Sequence, residues 1–450
     1  MLGPHTADRI ELLTLRSSPC ASILALAVAG ALWLMPATQA RAEAQLLIEA
    51  STGKVLHAEN ATYPWYPASV TKLMTLYTTL RTIKQGKLTF DSLLTMTKDG
   101  AAQQPTKMGL RLGTTVTVDN ALKMMMVKSA NDVAVMIAEN LGGSIEGFAD
   151  LMNANARRLG MTQTNYVNPN GLPAENHVTS ARDLGILARA LIQEFPEDDK
   201  YLHVHAIRYG NRVMRNYNSL LDRYPGADGM KTGFICASGY NVVASATHDG
   251  RRLIAIVLGA YSGAVRAQKA AQLLERGFNS GGLTWLTPSL GTVDALAPID
   301  AQPPNLREEM CGGHRRKPPS EDNQEEEEGA VAASGESGSP AFLLSSLKPA
   351  NGKFVLGPPV ETEAPIVVFT GPAGHPDPIA TAATPHKKKK KVAAKPDNGK
   401  AAGAAETAKS EGSSEGKAEG TADAKPKAKS AAKHTKAAKP AKPKVSSAAQ

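Results

Sequence analysis

Ser69 and Lys72 stand three residues apart in Pro67-Ala68-Ser69-Val70-Thr71-Lys72. Positions i and i+3 of a helix share a face, so the Lys72 amine can lie beside the Ser69 hydroxyl. A serine hydroxyl is a weak nucleophile until a neighbouring base takes its proton. A lysine serves as that base when burial or nearby positive charge lowers its pKa. The first turn of a helix also presents unpaired backbone N–H groups, which suit a developing oxyanion. The pair alone says little, because Ser-x-x-Lys recurs at Ser51/Lys54, Ser345/Lys348, Ser414/Lys417 and Ser430/Lys433.

Two further stretches single out Ser69. The first is Ser129-Ala130-Asn131. A second serine near the pair can relay a proton to a leaving amine. Asn131 both donates and accepts, which suits a peptide carbonyl or the Lys72 amine. Alone, these residues read as helix caps. The second stretch is Lys231-Thr232-Gly233. On a strand Lys231 and Gly233 share a face, and Gly233 leaves room for a substrate backbone alongside. Lys231 offers a charge and Thr232 a hydroxyl, both suited to a carboxylate. Alone, this is a strand with a solvated lysine. The three stretches together, in this order, specify a serine acyl-transfer enzyme.

The elements that must position these residues are legible in outline. Residues 45–50 and 54–59 read as a hairpin turning at Ser51-Thr52-Gly53. Residues 70–83 read as the helix that carries Lys72. Residues 93–118 read as loops with short strands. A helix begins near Val118, with Asp119 as its expected cap, and its Met124-Met125-Met126 cluster reads as core. Ser129-Ala130-Asn131 breaks that helix. Further helices are expected over 132–141, 145–159 and 180–195, with the turn Asn168-Pro169-Asn170-Gly171 between the last two. Strands are expected over 204–209, 212–217, 229–235, 240–247 and 253–261, then a closing helix over 264–278. Strands at both ends with helices between them predict an α+β architecture. The first hairpin should join the later strands in one antiparallel sheet, with a helical lobe beside it and the site between the two.

Composition sets the compartment. Arg9 and Arg16 precede the apolar run 23–35, and Ala40-Arg41-Ala42 fits a cleavage site, so residues 1–42 read as a secretory signal peptide. Export to the periplasm or cell envelope follows. Of the three cysteines, Cys20 falls in the leader. Cys236 and Cys311 form no disulfide framework and no zinc pattern, and Cys236 reads as a small buried residue. No metal and no cofactor are expected. The domain should span 43–285. From 286 to 450, Pro, Gly, Ser, Glu, Ala and Lys dominate, a composition that cannot bury enough apolar surface to fold. The whole chain has a formal charge of +9, and the lysine-rich end after Pro385 supplies more than all of it. Such a run usually signals nucleic acid. On an exported chain it implies instead a tether to an anionic envelope surface, or a solvated spacer.

The sequence resembles the serine-type D-Ala-D-Ala carboxypeptidases, the low-molecular-mass penicillin-binding proteins of peptidase family S11. The resemblance runs from about Ala44 to Phe278. It rests on Pro67-Ala68-Ser69-Val70-Thr71-Lys72, Ser129-Ala130-Asn131-Asp132 and Asp228-Gly229-Met230-Lys231-Thr232-Gly233. It implies a β-lactamase/transpeptidase-like fold and removal of the terminal D-Ala from peptidoglycan stem peptides. It further implies that Ser69 is acylated, that Lys72 is its base, and that Ser129 and Asn131 serve proton transfer and positioning. Lys231 and Thr232 would hold the terminal carboxylate, and the backbone N–H groups of Ser69 and Phe234 would form the oxyanion hole. β-Lactams would trap Ser69. Many members have His where this chain has Phe234, a position from which only the backbone is needed.

Other readings share the motifs. A DD-endopeptidase cuts cross-links with the same groups. A class A β-lactamase adds a deacylating Glu, for which Glu175 is the available residue, though Asn176-His177 follow it. A wall-binding protein acting through its basic tail would need none of them.

Overall fold

The runs Asn241-Val242-Val243-Ala244-Ser245-Ala246 and Leu253-Ile254-Ala255-Ile256-Val257-Leu258 are apolar at nearly every position. Strands of that kind need cover on both faces. The computed structural model, which describes residues 43–279, 289–313, 356–360 and 363–374, provides it. In chain order the main elements are β1 (Ala44–Glu49), β2 (Val55–Glu59), α1 (Lys72–Lys84), β3 (Leu93–Thr95), β4 (Thr115–Thr117), α2 (Val118–Val127), α3 (Asn131–Gly142), α4 (Ile145–Leu159), α5 (Ala181–Glu194), β5 (Ala206–Tyr209), β6 (Arg212–Arg215), β7 (Ala227–Ile235), β8 (Gly239–His248), β9 (Arg251–Ala260), α6 (Gly263–Asn279), α7 (Arg307–Cys311) and β10 (Ile366–Val367).

Five strands form one antiparallel sheet in the order β2-β1-β9-β8-β7. Side-chain alternation divides β8 and β9 between two cores. Val243, Ile254 and Ile256 face Leu184 and Leu187 of α5 and the helical lobe. Val242, Ala244, Ala255 and Val257 face Ala267, Ala270, Ala271 and Leu274 of α6. That spacing is one helical stripe. In the helical lobe, Leu73 and Tyr77 of α1 meet Leu122, Met125 and Met126 of α2, Met136 of α3 and Phe148 of α4. The methionine cluster is core, as its setting implied.

Helix boundaries follow capping chemistry. The side chains of Thr117, Ser144 and Ser180 accept from the N–H groups of Asn120, Gly147 and Asp183. The cap of α2 is therefore Thr117 and not Asp119. Asp119 sits in the first turn, where its carboxylate pairs with Lys123 at 2.5 Å.

The structure corrects the sheet. The strands expected over 204–217 do not join it. They form the short hairpin β5–β6 in a separate three-stranded sheet, order β10-β5-β6, with Ile207 and Met214 turned into the core.

It also corrects the tail. Residues 289–313 and 356–374, in so far as they are described, pack on the domain expected to end at 285. Val55 N–H donates to Gly291 O and Val293 N–H to Gly53 O, each at 2.9 Å, and Val293 is buried. Leu306 N–H donates to Ala237 O at 3.0 Å, Leu306 and Met310 are buried, and Cys311 is disulfide-bonded to Cys236. The single apolar residues of these segments have no period of their own. They are apolar because each fills a place prepared by distant chain. The same distance hid the disulfide, whose cysteines lie 75 residues apart. Further on, β10 runs parallel to β5, Val368 is buried, and Gly371 N–H donates to Thr115 O at 2.8 Å. The leader expected over 1–42 and the lysine-rich end after Pro385 lie outside the described residues. Among the described residues no helix is long and apolar enough to cross a membrane.

Candidate active site

The approach to Ser69 is fastened to the sheet before the helix starts. Trp65 exchanges backbone hydrogen bonds with Thr179, at 2.6 and 2.9 Å, and its indole donates to Ser238 O at 3.1 Å. Asn241 of β8 donates to Tyr66 O and Pro67 O. Ala68 then adopts φ +50°, a left-handed conformation costly for a residue with a Cβ. A single 3-10 turn, Ala68–Thr71, leads into α1 at Lys72.

Gly233 accounts for how closely β7 approaches that turn. A Cβ there would lie 2.6 Å from Ser69 N and 3.0 Å from Val70 N. The missing side chain thus brings Ser69 N–H beside β7, a use of the glycine in addition to the room for a substrate backbone expected from the sequence.

The Lys72 amine is fully buried. It lies 3.0 Å from Ser69 Oγ, 2.8 Å from Asn131 Oδ1 and 2.7 Å from Asn170 O. Asn131 Nδ2 donates to Gln104 O, which fixes the amide so that its oxygen faces the amine. An amide oxygen and a peptide carbonyl can only accept. Together they hold the amine beside the Ser69 hydroxyl, to which its third contact runs. That arrangement suits a general base.

Ser129 lies between α2 and α3 at φ +56°, fully buried. Ser129 O accepts from Thr106 Oγ1, Asn131 N–H donates to Thr106 O, and the Asp132 carboxylate accepts from Met108 and Gly109 N–H. The 104–109 loop thus sets the angle of the helix break. Lys231 is 1% exposed and donates to Thr232 O at 3.0 Å. Among the described residues, Ser129 Oγ and Thr232 Oγ1 are buried hydroxyls without a hydrogen-bond partner. Unmet hydroxyls at such positions suit an arriving polar substrate. Buried cations stand nearby. Lys128 donates to Tyr217 OH at 2.6 Å, and Arg266 donates to Asn241 O and Tyr217 O at 3.3 Å. Among the described residues no cluster of three or more His, Cys, Asp or Glu is placed to hold a metal ion.

A family profile described as D-alanyl-D-alanine carboxypeptidase, Peptidase S11, matches residues 34–262. The chain belongs to this family. D-alanyl-D-alanine carboxypeptidase DacC of Escherichia coli (strain K12) is 36% identical over 248 residues, 53% of this chain and 61% of that protein. DacA of Haemophilus influenzae is 34% identical over 245 residues, 53% of this chain and 62% of that protein. The chain therefore spans about three fifths of the length of these relatives. Among solved structures, penicillin binding protein 6B from Escherichia coli matches with a TM-score of 0.51 and 33% identity, over 54% of this chain and 79% of that one. Penicillin binding protein 5 from Haemophilus influenzae matches with a TM-score of 0.51 and 33% identity, over 54% and 72%.

Within this family's motifs, the structure brings the Lys72 amine into contact with both Ser69 and Asn131. It sets Gly233 against the Ser69 turn, with Lys231, Thr232 and Phe234 as its neighbours on β7. The Phe234 ring packs on Tyr240, centroids 4.3 Å apart, so the side chain belongs to the sheet. Glu175 is exposed. Sequence reasoning missed Asn170, which it read only as part of a turn, and Asn241, Thr106 and His177. Asn168-Pro169-Asn170-Gly171 does signal a turn, but no local pattern says which carbonyl will meet a lysine 98 residues away.

Proposed function

We propose that this chain is a serine-type D-Ala-D-Ala carboxypeptidase acting on peptidoglycan stem peptides. The observation that carries the reading is the Lys72 amine, held by Asn131 Oδ1 and Asn170 O and directed at Ser69 Oγ. Lys72 takes the Ser69 proton as Oγ bonds to the penultimate D-Ala carbonyl carbon. The oxyanion forms between the backbone N–H groups of Ser69 and Phe234. The C–N bond then breaks, and Ser129 passes a proton to the departing D-Ala amine. Lys231 and Thr232 hold the terminal carboxylate. Water attacks the ester and frees Ser69. A penicillin, which offers an acyl group and a carboxylate, follows the first half of this path. The relatives named penicillin binding proteins support that inhibitor class. The exposure of Glu175 disfavours a β-lactamase.

Mass spectrometry tests the reading in two steps. Intact protein incubated with a penicillin should gain one adduct on Ser69, and Ser69→Ala should gain none. Pentapeptide muropeptides should then lose one D-Ala. Cleavage of a cross-linked muropeptide without that loss would instead make the protein an endopeptidase.

The same proposal covers location and tail. The leader pattern of residues 1–42 supports export to the periplasm or cell envelope. The run Lys387–Lys444 supports electrostatic attachment to an anionic envelope surface, at roughly 1 kcal/mol per lysine near the surface, weakened by salt. A chain ending after residue 374 keeps the packed segments. It should retain activity on a soluble peptide and lose salt-sensitive co-sedimentation with envelopes. Unchanged co-sedimentation would reduce the tail to a spacer.

A further inference from the structure

One buried imidazole ties the Ser69–Lys72 turn to the loop that supplies the Asn170 carbonyl. Thr71 lies between the two reactive residues and is fully buried. Its Oγ1 is 2.9 Å from His177 Nε2. The other ring nitrogen, Nδ1, accepts from Val167 N–H at 3.0 Å. A backbone N–H can only donate, so Nδ1 carries no proton and the neutral ring carries it on Nε2. Nε2–H therefore donates to Thr71. His177 is 3% exposed, and burial pushes its pKa down to about 4, so the tautomer persists at neutral pH. Tyr166 packs edge-on against the ring, centroids 5.7 Å apart.

The loop between Val167 and His177 is closely fitted to the helix. Pro169 O accepts from Thr75 Oγ1 and Asn170 O from Lys72 Nζ, each at 2.7 Å. Gly171, at φ +81°, passes so near the turn that a Cβ would lie 1.8 Å from Ala68 O and 2.9 Å from Thr71 Oγ1. Val167, at the loop's entry, and Thr71, on the turn, thus hang on the two nitrogens of one ring. Asn170 lies three residues beyond Val167. A shift of the loop moves the acceptor that holds the Lys72 amine beside Ser69.

We propose that His177, acting through Val167 and Thr71, is a positioning residue that fixes the Asn170 carbonyl against the Lys72 amine and thereby sets the rate of Ser69 acylation. The inference rests on the acyl-transfer reading above. Displacing a base by a fraction of an ångström slows proton transfer with little change in substrate binding.

The test uses the full chain and a fluorescent penicillin in stopped flow, separating reversible binding from acylation. Thr71→Val replaces the hydroxyl with a methyl of similar size, and Thr71→Ser keeps the hydroxyl. His177→Gln keeps an N–H near the Nε2 position and loses the acceptor for Val167. Thr71→Val should slow acylation about tenfold with reversible binding unchanged, the loss expected for one buried hydrogen bond. Thr71→Ser should restore the rate to within about twofold. His177→Gln should fall further than Thr71→Val. Acylation of Thr71→Val at the parent rate would overturn the proposal and leave the acyl-transfer reading standing. So would equal loss in Thr71→Val and Thr71→Ser. Failure of the folded parent protein to acylate would overturn both.

Discussion

Gly233→Ala perturbs the proposed oxyanion hole without touching a reacting side chain. The added Cβ would lie 2.6 Å from Ser69 N, 3.0 Å from Val70 N and 3.2 Å from Ala68 Cβ. Ordinary van der Waals contact begins near 3.4 Å, so the 3-10 turn and β7 must separate by about 3.4 − 2.6 = 0.8 Å at Ser69. Two of the three atoms are backbone, and neither rotates out of the way. The approach to the turn is also tied in place, by Asn241 on Tyr66 O and Pro67 O and by Thr179 on Trp65. The strain therefore falls on the gap between Ser69 N–H and Phe234 N–H. Overpacking costs roughly 1–3 kcal/mol of stability, which a domain with two cores survives. A misplacement near 1 Å costs about a hundredfold in rate, similar to losing one oxyanion donor. The assay is the second-order rate of labelling by a fluorescent penicillin, with the melting temperature measured on the same sample. The reasoning fails if the variant labels within about threefold of the parent rate, for the turn would then not be the part that fixes the donor.

Lys231→Ala removes a charge-assisted contact worth roughly 1.5–3 kcal/mol, so turnover of a D-Ala-D-Ala peptide should fall by about tenfold to a hundredfold. A substrate ending in a D-Ala amide should respond much less, and equal responses would make Lys231 structural. Cys311→Ser opens a bridge between residues 75 apart, which in the chain-entropy account costs about 4 kcal/mol. For a domain of this size the melting temperature should drop on the order of 10 °C, and an unchanged value would mean the segment packs as firmly without its bridge. The unfolded chain protonates His177 near its ordinary 6.5, the folded chain only near 4. Between those values the unfolded state binds the extra proton, so stability falls as pH drops, by about 3 kcal/mol in all. Urea midpoints from pH 7 to 4 should show this loss, and His177→Gln should show a shallower one.

Much of the scaffold could be read locally because local chemistry decides it. Ser69 and Lys72 share a face because a helical turn puts every third residue there. The strands expected over 229–235, 240–247 and 253–261 and the helix over 264–278 fall close to β7, β8, β9 and α6. The Ile145–Leu159 helix was legible to the residue from its apolar stripe, and Gly160 ends it in a left-handed conformation. The class of chemistry was legible too, since three motifs in a set order restrict the reaction more than any one of them. Even here a local rule misled once: Asp119 looked like a cap, but Thr117, two residues earlier, has the extended backbone a cap requires.

What the tertiary structure decided is which distant groups meet. Lys72 finds Asn170 O across 98 residues and Thr71 finds His177 across 106. Cys236 finds Cys311, and β5 takes Ile366–Val367 as its third strand. Gly233 was read as room beside a substrate backbone, and only the fold shows that the place of its missing Cβ faces Ser69 N. Hydrophobic burial, which drives these encounters, has no direction of its own. A periodic stripe states that a surface will be covered, and only the packed fold chooses what covers it. Hydrogen bonds of 2.7–3.0 Å then make that choice specific, because each depends on the placement of two segments that share no local pattern. The candidate nucleophile and its proposed base could thus be read from the sequence, whereas the groups that hold that base appear only once the loop at Asn170 has folded onto α1.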